Sequence, residues 1–431
     1  MQTDISALPD GWRELPLKSV AEARFSNVDK LSTPGEEPVR LCNYTDVYKN
    51  DYITDELSFM RATATHQEIK RFGLQVGDVI ITKDSETPDD IGIPSVVDYA
   101  APDMVCGYHL ALIRPNIDAL DPTFLAKQLS HERLARYFCK QASGLTRYAL
   151  STKITDQVPL WLPDLEEQQA VASISRLIDE AIAKTEAVIG KLRQVRTGLI
   201  HDLLTCGLDE NGHLRDPIAH PEHFQGTIMG LRPRDWEIAP IGIKCETYAG
   251  GTPPRGSPEF FGGDVPWIKS GEVNQDAIST TEETLSEQGL AVSSAKWIAP
   301  GNPLMAMYGA TAGQVSWLIT RATANQAVLA IIPRSDATFA RFLFWMLRFV
   351  APQIITLATG SGQPNLSKGL VDKALVAIPR SPDEQRSIAA IIDAAVAIEK
   401  SETANLDKLI QLKSGLMDDL LTGRVRVPNT P

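Results

Sequence analysis

Few residues in this chain have the types and spacing that catalysis requires. Asp51 with Glu68 and Lys70 matches, in residue type and order, a set that can hold a divalent metal and activate water for phosphodiester cleavage. Such a triplet also arises by chance in any charged helix, and we interpret it so. His131-Glu132 lacks the second histidine four residues later that a zinc-protease helix needs. These patterns therefore predict no hydrolytic metal centre.

Other candidate motifs are also incomplete. His213, His220 and His223 lie in one segment, but no cysteine accompanies them, and we predict no metal site there. Thr252-Pro253-Pro254-Arg255 resembles the Asn/Asp-Pro-Pro-Tyr/Phe motif of amino-methyltransferases, yet it lacks the residue that accepts from the target amine and the aromatic that stacks on the base. We predict a turn there. The sequence contains neither a P-loop nor a G-x-S-x-G elbow, so no catalytic residue, metal or cofactor is predicted.

Composition narrows the class of protein. Of 431 residues, 43% are hydrophobic and 22% charged, which is ordinary for a globular protein. No apolar run reaches the ~18 residues of a membrane span, the N-terminus lacks a signal-peptide pattern, and the five cysteines form no C-x-x-C pair. These features predict a cytoplasmic protein with reduced thiols and no membrane partner. The net charge of −12 argues against tight unaided binding to DNA, because lysine and arginine supply most of that affinity.

The chain contains two copies of one unit. Residues 191–205, KLRQVRTGLIHDLLT, return as residues 408–422, KLIQLKSGLMDDLLT. Weaker matches precede each copy, such as that between Leu8-Pro9-Asp10-Gly11-Trp12 and Arg232-Pro233-Arg234-Asp235-Trp236. A duplicated chain can fold with approximate two-fold symmetry, which suits a ligand with a two-fold backbone such as duplex DNA.

Each copy begins with a globular part of mixed α and β structure. Short apolar runs between turn residues predict strands, among them residues 79–81 and 328–332. One helical stretch follows in each half, near Thr123–Gln141 and Thr338–Ile355.

A helix of about 40 residues, or ~60 Å at the α-helical rise, follows each globular part. The first opens with Asp164 as N-cap, and the second opens at Ser381-Pro382-Asp383-Glu384, a capping box in which Glu384 can also reach back to the cap. Gly207 and Gly423 follow the last apolar residues and predict the helix ends. The predicted fold is mixed α+β, with two pseudo-two-fold-related α/β domains separated by two long antiparallel coiled-coil helices. The predicted bounds are 1–162 and 231–379 for the globular domains, 163–206 and 380–424 for the helices, and 207–230 for a linker.

Both long helices carry a seam of residues at alternating three- and four-residue spacing, which is typical of coiled coils. Because each helix follows its own half of the repeat, we expect the two to run antiparallel, with Leu199 near Ile388 and Thr185 near Glu402. The alternative, that each helix packs only on its own domain, is disfavoured because ~60 Å exceeds the width of such a domain. The predicted seam consists of Val171, Ile174, Ile178, Ala181, Thr185, Val188, Leu192, Val195, Leu199, Ile388, Ile391, Ala395, Ile398, Glu402, Asn405, Leu409, Leu412 and Leu416.

Several motifs lie in a characteristic order along the chain: the Leu8–Trp12 start, the Glu166-Glu167-Gln168 and Asp383-Glu384-Gln385 helix openings, the Gly198–Thr205 helix end with its second copy, and the linker motif Pro217-x-x-His220-Pro221. Together they resemble the specificity subunit of type I restriction-modification enzymes. The resemblance covers essentially the whole chain. It implies a non-catalytic subunit with two target-recognition domains, each recognising one half of a bipartite site in double-stranded DNA. It also implies that the two helices hold these domains apart and dock two methyltransferase subunits, which in turn bind motor-nuclease subunits.

Base recognition requires side chains with paired donors and acceptors, such as arginine on guanine or asparagine and glutamine on adenine. We place the first candidates in the loop after the last globular helix of each half, and others after strand-like runs. The alternative is that both loops are ordinary connections, with Ser151 and Ser367 capping the next helices. The candidates for DNA binding are Thr146, Arg147, Tyr148, Gln363 and Asn365 in the loops, and Asn43, Tyr44, Lys83, Lys269 and Tyr308 after the strands.

Two other functions remain open at this point. One is a scaffold whose halves bind proteins without recognising bases, and the other is a self-contained modification enzyme, which the motif search disfavours. In the preferred interpretation the helix pair is a spacer. Longer helices would then lengthen the gap between the half-sites and leave the half-sites themselves unchanged.

Overall fold

The computed structural model describes residues 8–144, 146–358 and 365–427. The chain divides into two compact units, of which unit 1 is Met1–Glu186 with Ala404–Pro431 and unit 2 is Ala187–Thr403. Each unit therefore contains one globular half and segments of both long helices.

The globular part of unit 1 is built from short strands and short helices. Its strands are β1 (Arg13–Pro16), β2 (Ala21–Phe25), β3 (Glu37–Cys42), β4 (Tyr52–Ile53), β5 (Met60–Ala64), β6 (Val79–Thr82), β7 (Asp84–Ser85), β8 (Pro94–Val97), β9 (Met104–Cys106), β10 (Leu110–Pro115), β11 (Tyr148–Ala149) and β12 (Pro159–Leu162). Its helices are α1 (Tyr44–Tyr48), α2 (His66–Phe72), α3 (Pro122–Ser130), α4 (Glu132–Gln141) and α5 (Thr152–Asp156), followed by the first long helix, α6 (Leu165–Thr205).

Unit 2 repeats this plan. Its strands are β13 (Phe224–Thr227), β14 (Gly230–Pro233), β15 (Trp236–Pro240), β16 (Cys245–Ala249), β17 (Phe261–Ile268), β18 (Ala277–Ile278), β19 (Glu283–Leu285), β20 (Pro303–Ala306), β21 (Val315–Leu318), β22 (Thr323–Ala324), β23 (Val328–Pro333) and β24 (Leu375–Pro379). Its helices are α7 (Ile241–Lys244), α8 (Glu287–Val292), α9 (Ala340–Thr356) and α10 (Lys368–Lys373), and the second long helix is α11 (Pro382–Leu421).

The two halves share one sheet topology. The five-stranded sheet has the order β2-β10-β6-β8-β4 in unit 1 and β16-β23-β20-β21-β18 in unit 2. The three-stranded sheet has the order β5-β3-β9 in unit 1 and β19-β17-β22 in unit 2, and its last pair is parallel in both. The central strand β6, with sequence VIIT, is buried on both faces and therefore lacks the polar alternation of a half-exposed strand. The mixed α+β class and its duplication are confirmed.

One predicted helix is interrupted. The stretch near Thr123–Gln141 forms two helices, α3 and α4, separated at His131. The backbone of His131 is extended, and its Nδ1 accepts a hydrogen bond from the backbone N–H of Arg133 at 3.3 Å, so this residue caps the start of a new helix. In unit 2 the matching stretch is one continuous helix, Ala340–Thr356.

Both long helices begin where the sequence predicts. The side chain of Asp164 accepts from the backbone N–H of Glu167 at 2.9 Å, and that of Ser381 accepts from Glu384 at 3.3 Å. Gly207 and Gly423 follow the helix ends with φ of 66° and 68°, a left-handed backbone that glycine adopts without strain. No helix in the part of the chain described here combines the length and apolar character needed to cross a bilayer.

The prediction that the Glu384 side chain reaches back to the N-cap residue of its own helix, Ser381, is wrong. The Glu384 carboxylate instead accepts from the backbone N–H of Leu208 at 3.1 Å and from Trp236 Nε1 at 3.0 Å, and it pairs with Arg215 at 2.7 Å. These partners are stronger because one of them is charged. The carboxylate thereby joins the start of α11 to the segment after α6.

Within each unit the two long-helix segments run antiparallel. In unit 1, Asp179 lies 2.7 Å from Lys413, and Glu167 lies 2.6 Å from Arg426 beyond the end of α11. In unit 2, Glu399 lies 2.7 Å from Arg196, and Glu384 contacts Leu208. In both units, the further along α6 a residue lies, the earlier in α11 is its partner.

The predicted seam is wrong at every second position of α11 and at two positions in the second half of α6. Val188, Val195, Ile391, Ile398 and Leu412 are exposed by 48, 61, 36, 53 and 55%. Asn405 is exposed as well. The other predicted seam residues are buried or half-buried, and Leu199 packs against the core cluster that contains Ile388.

The inward-facing residue at these positions lies one step later in the sequence. Ile189, Ile392 and Glu399 are buried where Val188, Ile391 and Ile398 are exposed. At 399 and 413 the inward residue is charged, and its charge is neutralised by an ion pair to the opposing helix. A seam predicted from apolar residues alone omits charged inward positions such as 399 and 413. It includes the exposed apolar residue beside each of them instead.

The seam predicted from apolar spacing contains Ile398, whereas the seam in the structure contains Ile392. The two seams therefore predict opposite orders for the effects of substituting these residues. Ile392→Ala removes methyl groups from a fully buried site and should lower the free energy of unfolding by about 2–5 kcal/mol. Ile398→Ala at a half-exposed site should change it by no more than about 0.5 kcal/mol. Urea denaturation of the intact chain, followed by circular dichroism, measures both. Equal losses in the two variants would contradict the corrected seam.

Candidate nucleic-acid interface

In unit 1 most of the candidate residues meet where strands of both sheets end. The two-residue strand β7, Asp84–Ser85, follows the buried strand β6 and pairs with β11, so that Tyr148 lies opposite Ser85 and Ala149 opposite Asp84. This pairing carries the loop that contains Thr146 and Arg147 to the same edge as β7. The backbone hydrogen bonds between β7 and β11 thus position the loop independently of its side-chain contacts.

Arg147 forms a hydrogen bond to an acid and lies beside a histidine at this edge. Its Nε donates to Asp84 Oδ1 at 2.9 Å, and its terminal nitrogen lies 3.2 Å from His109 Nδ1. His109 Nδ1 lies 2.5 Å from the same carboxylate oxygen, so we assign the imidazole N–H to Nδ1 and its hydrogen bond to Asp84, which can only accept when ionised. Burial lowers the pKa of His109, with a further contribution from Arg147, while Asp84 opposes the shift.

Aromatic rings surround this group. The Tyr44 hydroxyl lies 3.3 Å from Ser85 Oγ, and the Tyr44 ring stacks on Tyr48 at 5.5 Å with an angle of 16°. Tyr48 donates to Asp90 at 3.0 Å, and Tyr108 lies against His109 with ring centroids 3.7 Å apart. Planar faces and hydrogen-bonding tips of this kind suit contact with bases.

Two candidates of unit 1 are engaged within the fold. Lys83 Nζ donates to the carbonyl of Ser26 at 2.7 Å beside the Phe25 ring, and burial lowers the pKa of Lys83. Asn43 precedes α1, and its backbone N–H donates to Asp46 at 2.8 Å, which closes the first turn of that helix. Both residues therefore stabilise the structure next to this edge through hydrogen bonds inside the protein.

Unit 2 has the equivalent edge with different side chains. Tyr308 follows β20 by the same interval at which Asp84 follows β6, and it forms an isolated antiparallel bridge with Asn365. The Tyr308 hydroxyl donates to the carbonyl of Gln326 at 2.8 Å, and the Gln326 side chain contacts Thr252. Gln363 lies outside the described residues.

Lys269 is neutralised by two acids. Its ammonium lies 2.8 Å from Glu282 and 3.1 Å from Glu283, and the hydrogen bonds to these carboxylates raise the pKa of Lys269. Glu283 also pairs with Arg255, whose guanidinium lies over the Trp267 ring at 5.0 Å. The segment Thr252–Arg255 therefore contributes to an ion-pair and cation–π cluster, which lacks the base-stacking aromatic of a methyltransferase motif.

Two metal patterns considered in the sequence have different outcomes. Asp51 pairs with Lys127 at 2.9 Å, whereas Glu68 bonds to Thr65 and Asn27, so each acid has its own partners. In the segment before β13, by contrast, Glu222 joins His220 and His223 in a group whose donor atoms lie within 4.8 Å of one another.

Sequence reasoning missed Asp84, His109, Tyr108, Tyr48 and Gln326. Asp84 directly follows Lys83, and Tyr108-His109 follow β9 after a single glycine, so the strand-end rule that selected Lys83 could have found them. Their convergence depends on pairing between distant segments, which local spacing does not contain.

Both edges can bind a ligand through hydrogen bonds and aromatic contacts, but they offer different groups. In unit 1 a guanidinium, an imidazole and a carboxylate stand among tyrosine rings, and in unit 2 a phenol and amides predominate. Neither set is arranged as a nucleophile beside its base. Both offer hydrogen-bond donors and acceptors beside aromatic faces, which is what recognition of base edges requires.

Sequence comparisons place this architecture among known proteins. A family model described as "Type I restriction modification DNA specificity domain" matches residues 233–411. The chain is 23% identical to the putative type I restriction enzyme MjaX specificity subunit of Methanocaldococcus jannaschii, over 99% of this chain and 96% of that protein. It is also 23% identical to the HindI specificity subunit of Haemophilus influenzae, over 84% and 85% of the two chains.

Solved structures share the fold. The S subunit of a type I restriction-modification system from M. genitalium superposes with a TM-score of 0.58 at 15% identity, covering 96% of this chain and 97% of that one. A second chain, from a study of complex assembly in the type I R-M system, superposes with a TM-score of 0.56 at 18% identity and covers 97% and 100%. At such identities the likeness is one of fold.

The Asp84–His109–Arg147 group predicts opposite pKa changes for two substitutions. Arg147→Gln removes a neighbouring positive charge and should raise the pKa of His109, whereas Asp84→Asn removes the acceptor that favours imidazolium and should lower it further. NMR titration of the protein with isotope-labelled histidine measures both. Exposed His66 serves as the internal control. Shifts of the same sign in the two variants would contradict the arrangement.

Proposed function

Because the chain belongs to the family of type I restriction-modification specificity subunits, we propose that it is the part of such a complex that recognises DNA sequence. The observation that carries the proposal is the pair of topologically equivalent sheet edges. Each edge places hydrogen-bonding side chains beside aromatic rings, and the two differ in chemistry. As a specificity subunit the chain is non-catalytic, and its contribution to methylation or cleavage is to select the site.

The two edges would recognise the two halves of a bipartite site in double-stranded DNA. Arg147 is the first candidate of unit 1, because a guanidinium can bind a guanine edge through two hydrogen bonds. Asn365, Tyr308 and Thr252 are the first candidates of unit 2, because amide and hydroxyl groups can both donate and accept. Since the side chains differ, the half-sites would differ too. A scaffold without base recognition would have no use for this difference.

Phosphate contact would come largely from partner subunits. The chain carries a net charge of −12, and the two lysines considered as DNA contacts, Lys83 and Lys269, are occupied by a carbonyl and by two glutamates. Affinity that depends on neutralised phosphates would therefore need basic surface from elsewhere. We accordingly expect sequence recognition to be strongest in the assembled complex, and we place that complex in the cytoplasm.

The long helices would dock the methyltransferase subunits. Val188 and Val195 on α6, and Ile391 and Ile398 on α11, are exposed and seven residues apart in each pair, so each pair lies on one helix face. Leu412 of α11 is exposed in unit 1. Apolar side chains at heptad spacing favour a further helix as partner. Two such methyltransferase subunits would bind, and the motor-nuclease subunits would join through them.

The continuous helices would also set the length of the gap between the half-sites. Both α6, with 41 residues, and α11, with 40 residues, run without interruption. Uninterrupted α-helices are stiff compared with loops of the same residue number. The gap would thus depend on helix length, independently of which bases are recognised.

Substitution of Arg147 tests base recognition. In the complex with cognate methyltransferase subunits, Arg147→Gln should alter or relax one half-site and leave the other unchanged, because loss of a bidentate contact costs about 1–3 kcal/mol at one base pair. Sequencing of the methylated DNA measures this. The matched control is Arg136→Gln, an exposed arginine of α4 in the same unit. An Arg147→Gln complex with both half-sites unaltered would refute the assignment of this edge.

Substitution of Ile398 tests the helix surface. Ile398→Asp should weaken binding of methyltransferase subunits by at least about ten-fold, because burial of an isoleucine stabilises a complex by about 1.5–3 kcal/mol. Ala397→Asp, at an exposed neighbouring residue of the same helix, introduces the same charge and should bind nearly as the parent does. Co-purification and titration calorimetry measure the difference. Equal binding by both variants would exclude this face as the dock.

A further inference from the structure

The segment that joins α6 to the β13–β14 hairpin brings two histidines and a glutamate together. His220 Nδ1 lies 3.2 Å from Glu222 Oε1, and His223 Nε2 lies 3.8 Å from the same oxygen. The two imidazole rings are parallel within 16°, with centroids 5.3 Å apart. These groups belong to neither sheet edge described above.

Local backbone structure explains the convergence. Pro221–His223 form one turn of 3-10 helix, in which side chains three residues apart lie on the same side. His220 and His223 have this spacing, and the backbone N–H of His223 donates to the carbonyl of His220 at 3.1 Å. Pro221 further restricts the turn through its fixed φ.

Hydrogen bonds from outside the turn hold it in place. The backbone N–H of His220 donates to the carbonyl of Asp216 at 3.0 Å. Arg234 Nε donates to the carbonyl of Glu222 at 2.8 Å, and its backbone N–H donates to the carbonyl of His223 at 2.9 Å. A ligand set on a backbone that is already fixed loses less conformational entropy when it binds an ion.

The donor types are ones that zinc accepts, and their separations are near those that zinc requires. Zinc bound tetrahedrally at about 2.0–2.1 Å requires donors about 3.3 Å apart. Glu222 Oε1 lies 3.2 Å and 3.8 Å from the two histidine nitrogens, and all three donor atoms lie within 4.8 Å of one another, so the exposed imidazoles would turn toward the ion as it binds. Two imidazoles and one carboxylate are ligands that zinc accepts, with water in the fourth position, and calcium or magnesium would prefer a site made of oxygens alone. The group is exposed, so a water ligand has access.

We propose that His220, Glu222 and His223 form a zinc-binding site that closes the turn before the β13–β14 hairpin. The ion would join both ends of the turn and thereby stabilise the connection between α6 and the second globular half. His213, in the same connecting segment, lies outside the ligand group and pairs loosely with Asp209 at 3.8 Å. It therefore provides a matched control.

Metal titration of the full chain tests the site. Protein without an affinity tag and freed of metal by chelation is titrated with zinc chloride against a chromophoric zinc indicator. We expect one zinc ion per chain in the parent and in His213→Asn. In His220→Asn, His223→Asn and Glu222→Gln we expect zinc affinity to fall by at least about 10–100-fold, the loss that even an outer partner of a zinc ligand can cause. All these side chains are exposed, so circular dichroism should show unchanged folding.

A second measurement reports on the turn itself. Hydrogen exchange of the amides in residues 216–230 should slow when zinc is added to the parent, and should not respond in His223→Asn. Absence of zinc binding by the parent at tens of micromolar, or binding that all three ligand variants retain, would overturn the proposal. These outcomes are independent of DNA recognition, because none of the measurements includes DNA or a partner subunit.

Discussion

Buried carboxylates on the long helices depend on basic side chains from the opposing helix. In unit 1, Asp179 is 9% exposed and lies 2.7 Å from Lys413 of the opposing helix, with Lys127 of α3 also at 2.8 Å. In unit 2, Glu399 is 11% exposed and pairs with Arg193 and Arg196. An unpaired charge in such surroundings would cost several kcal/mol. A slip of one residue between the helices would separate these pairs, so the ion pairs specify the register within each unit.

This register determines which side chains remain for partners. With Glu399 and Lys413 turned inward, the preceding Ile398 and Leu412 face solvent. The helices therefore combine an inner surface whose register is specified by charge with outer apolar residues at heptad spacing. Charged residues thus face inward at positions 399 and 413, where apolar seam residues were expected. This one feature explains both the pairing of the helices and the exposed apolar surface proposed for docking.

The repeated topology allows divergence at the edges of the sheets. The buried strands β6 and β20 occupy the same position in their sheets, and the residues two steps beyond them, Asp84 and Tyr308, have unrelated chemistry. Core positions are constrained by packing on every side, whereas residues beyond a strand end can change without disturbing it. Such a frame can carry two different recognition surfaces with no change of fold.

Much of the architecture was accessible from local patterns. Helix caps at Asp164 and Ser381, and the glycines at 207 and 423, depend on neighbours a few residues away, and all were predicted. The edge residues were predicted only in part, because Arg147 meets Asp84 and His109 through pairing of segments far apart in the chain. Lys83 and Lys269 were proposed as DNA contacts from their type and their place after strand-like runs, since nothing local indicates that Ser26, Glu282 and Glu283 engage them.

The amino-acid sequence by itself determined the duplication and the two long helices with their ends, because repeats and caps are recognisable from neighbouring residues. Tertiary structure alone decided which face of each helix is buried, which polar residues share a sheet edge, and that Glu222 joins two histidines in the connecting segment. These outcomes depend on distances between side chains, and such distances follow from how distant segments pack.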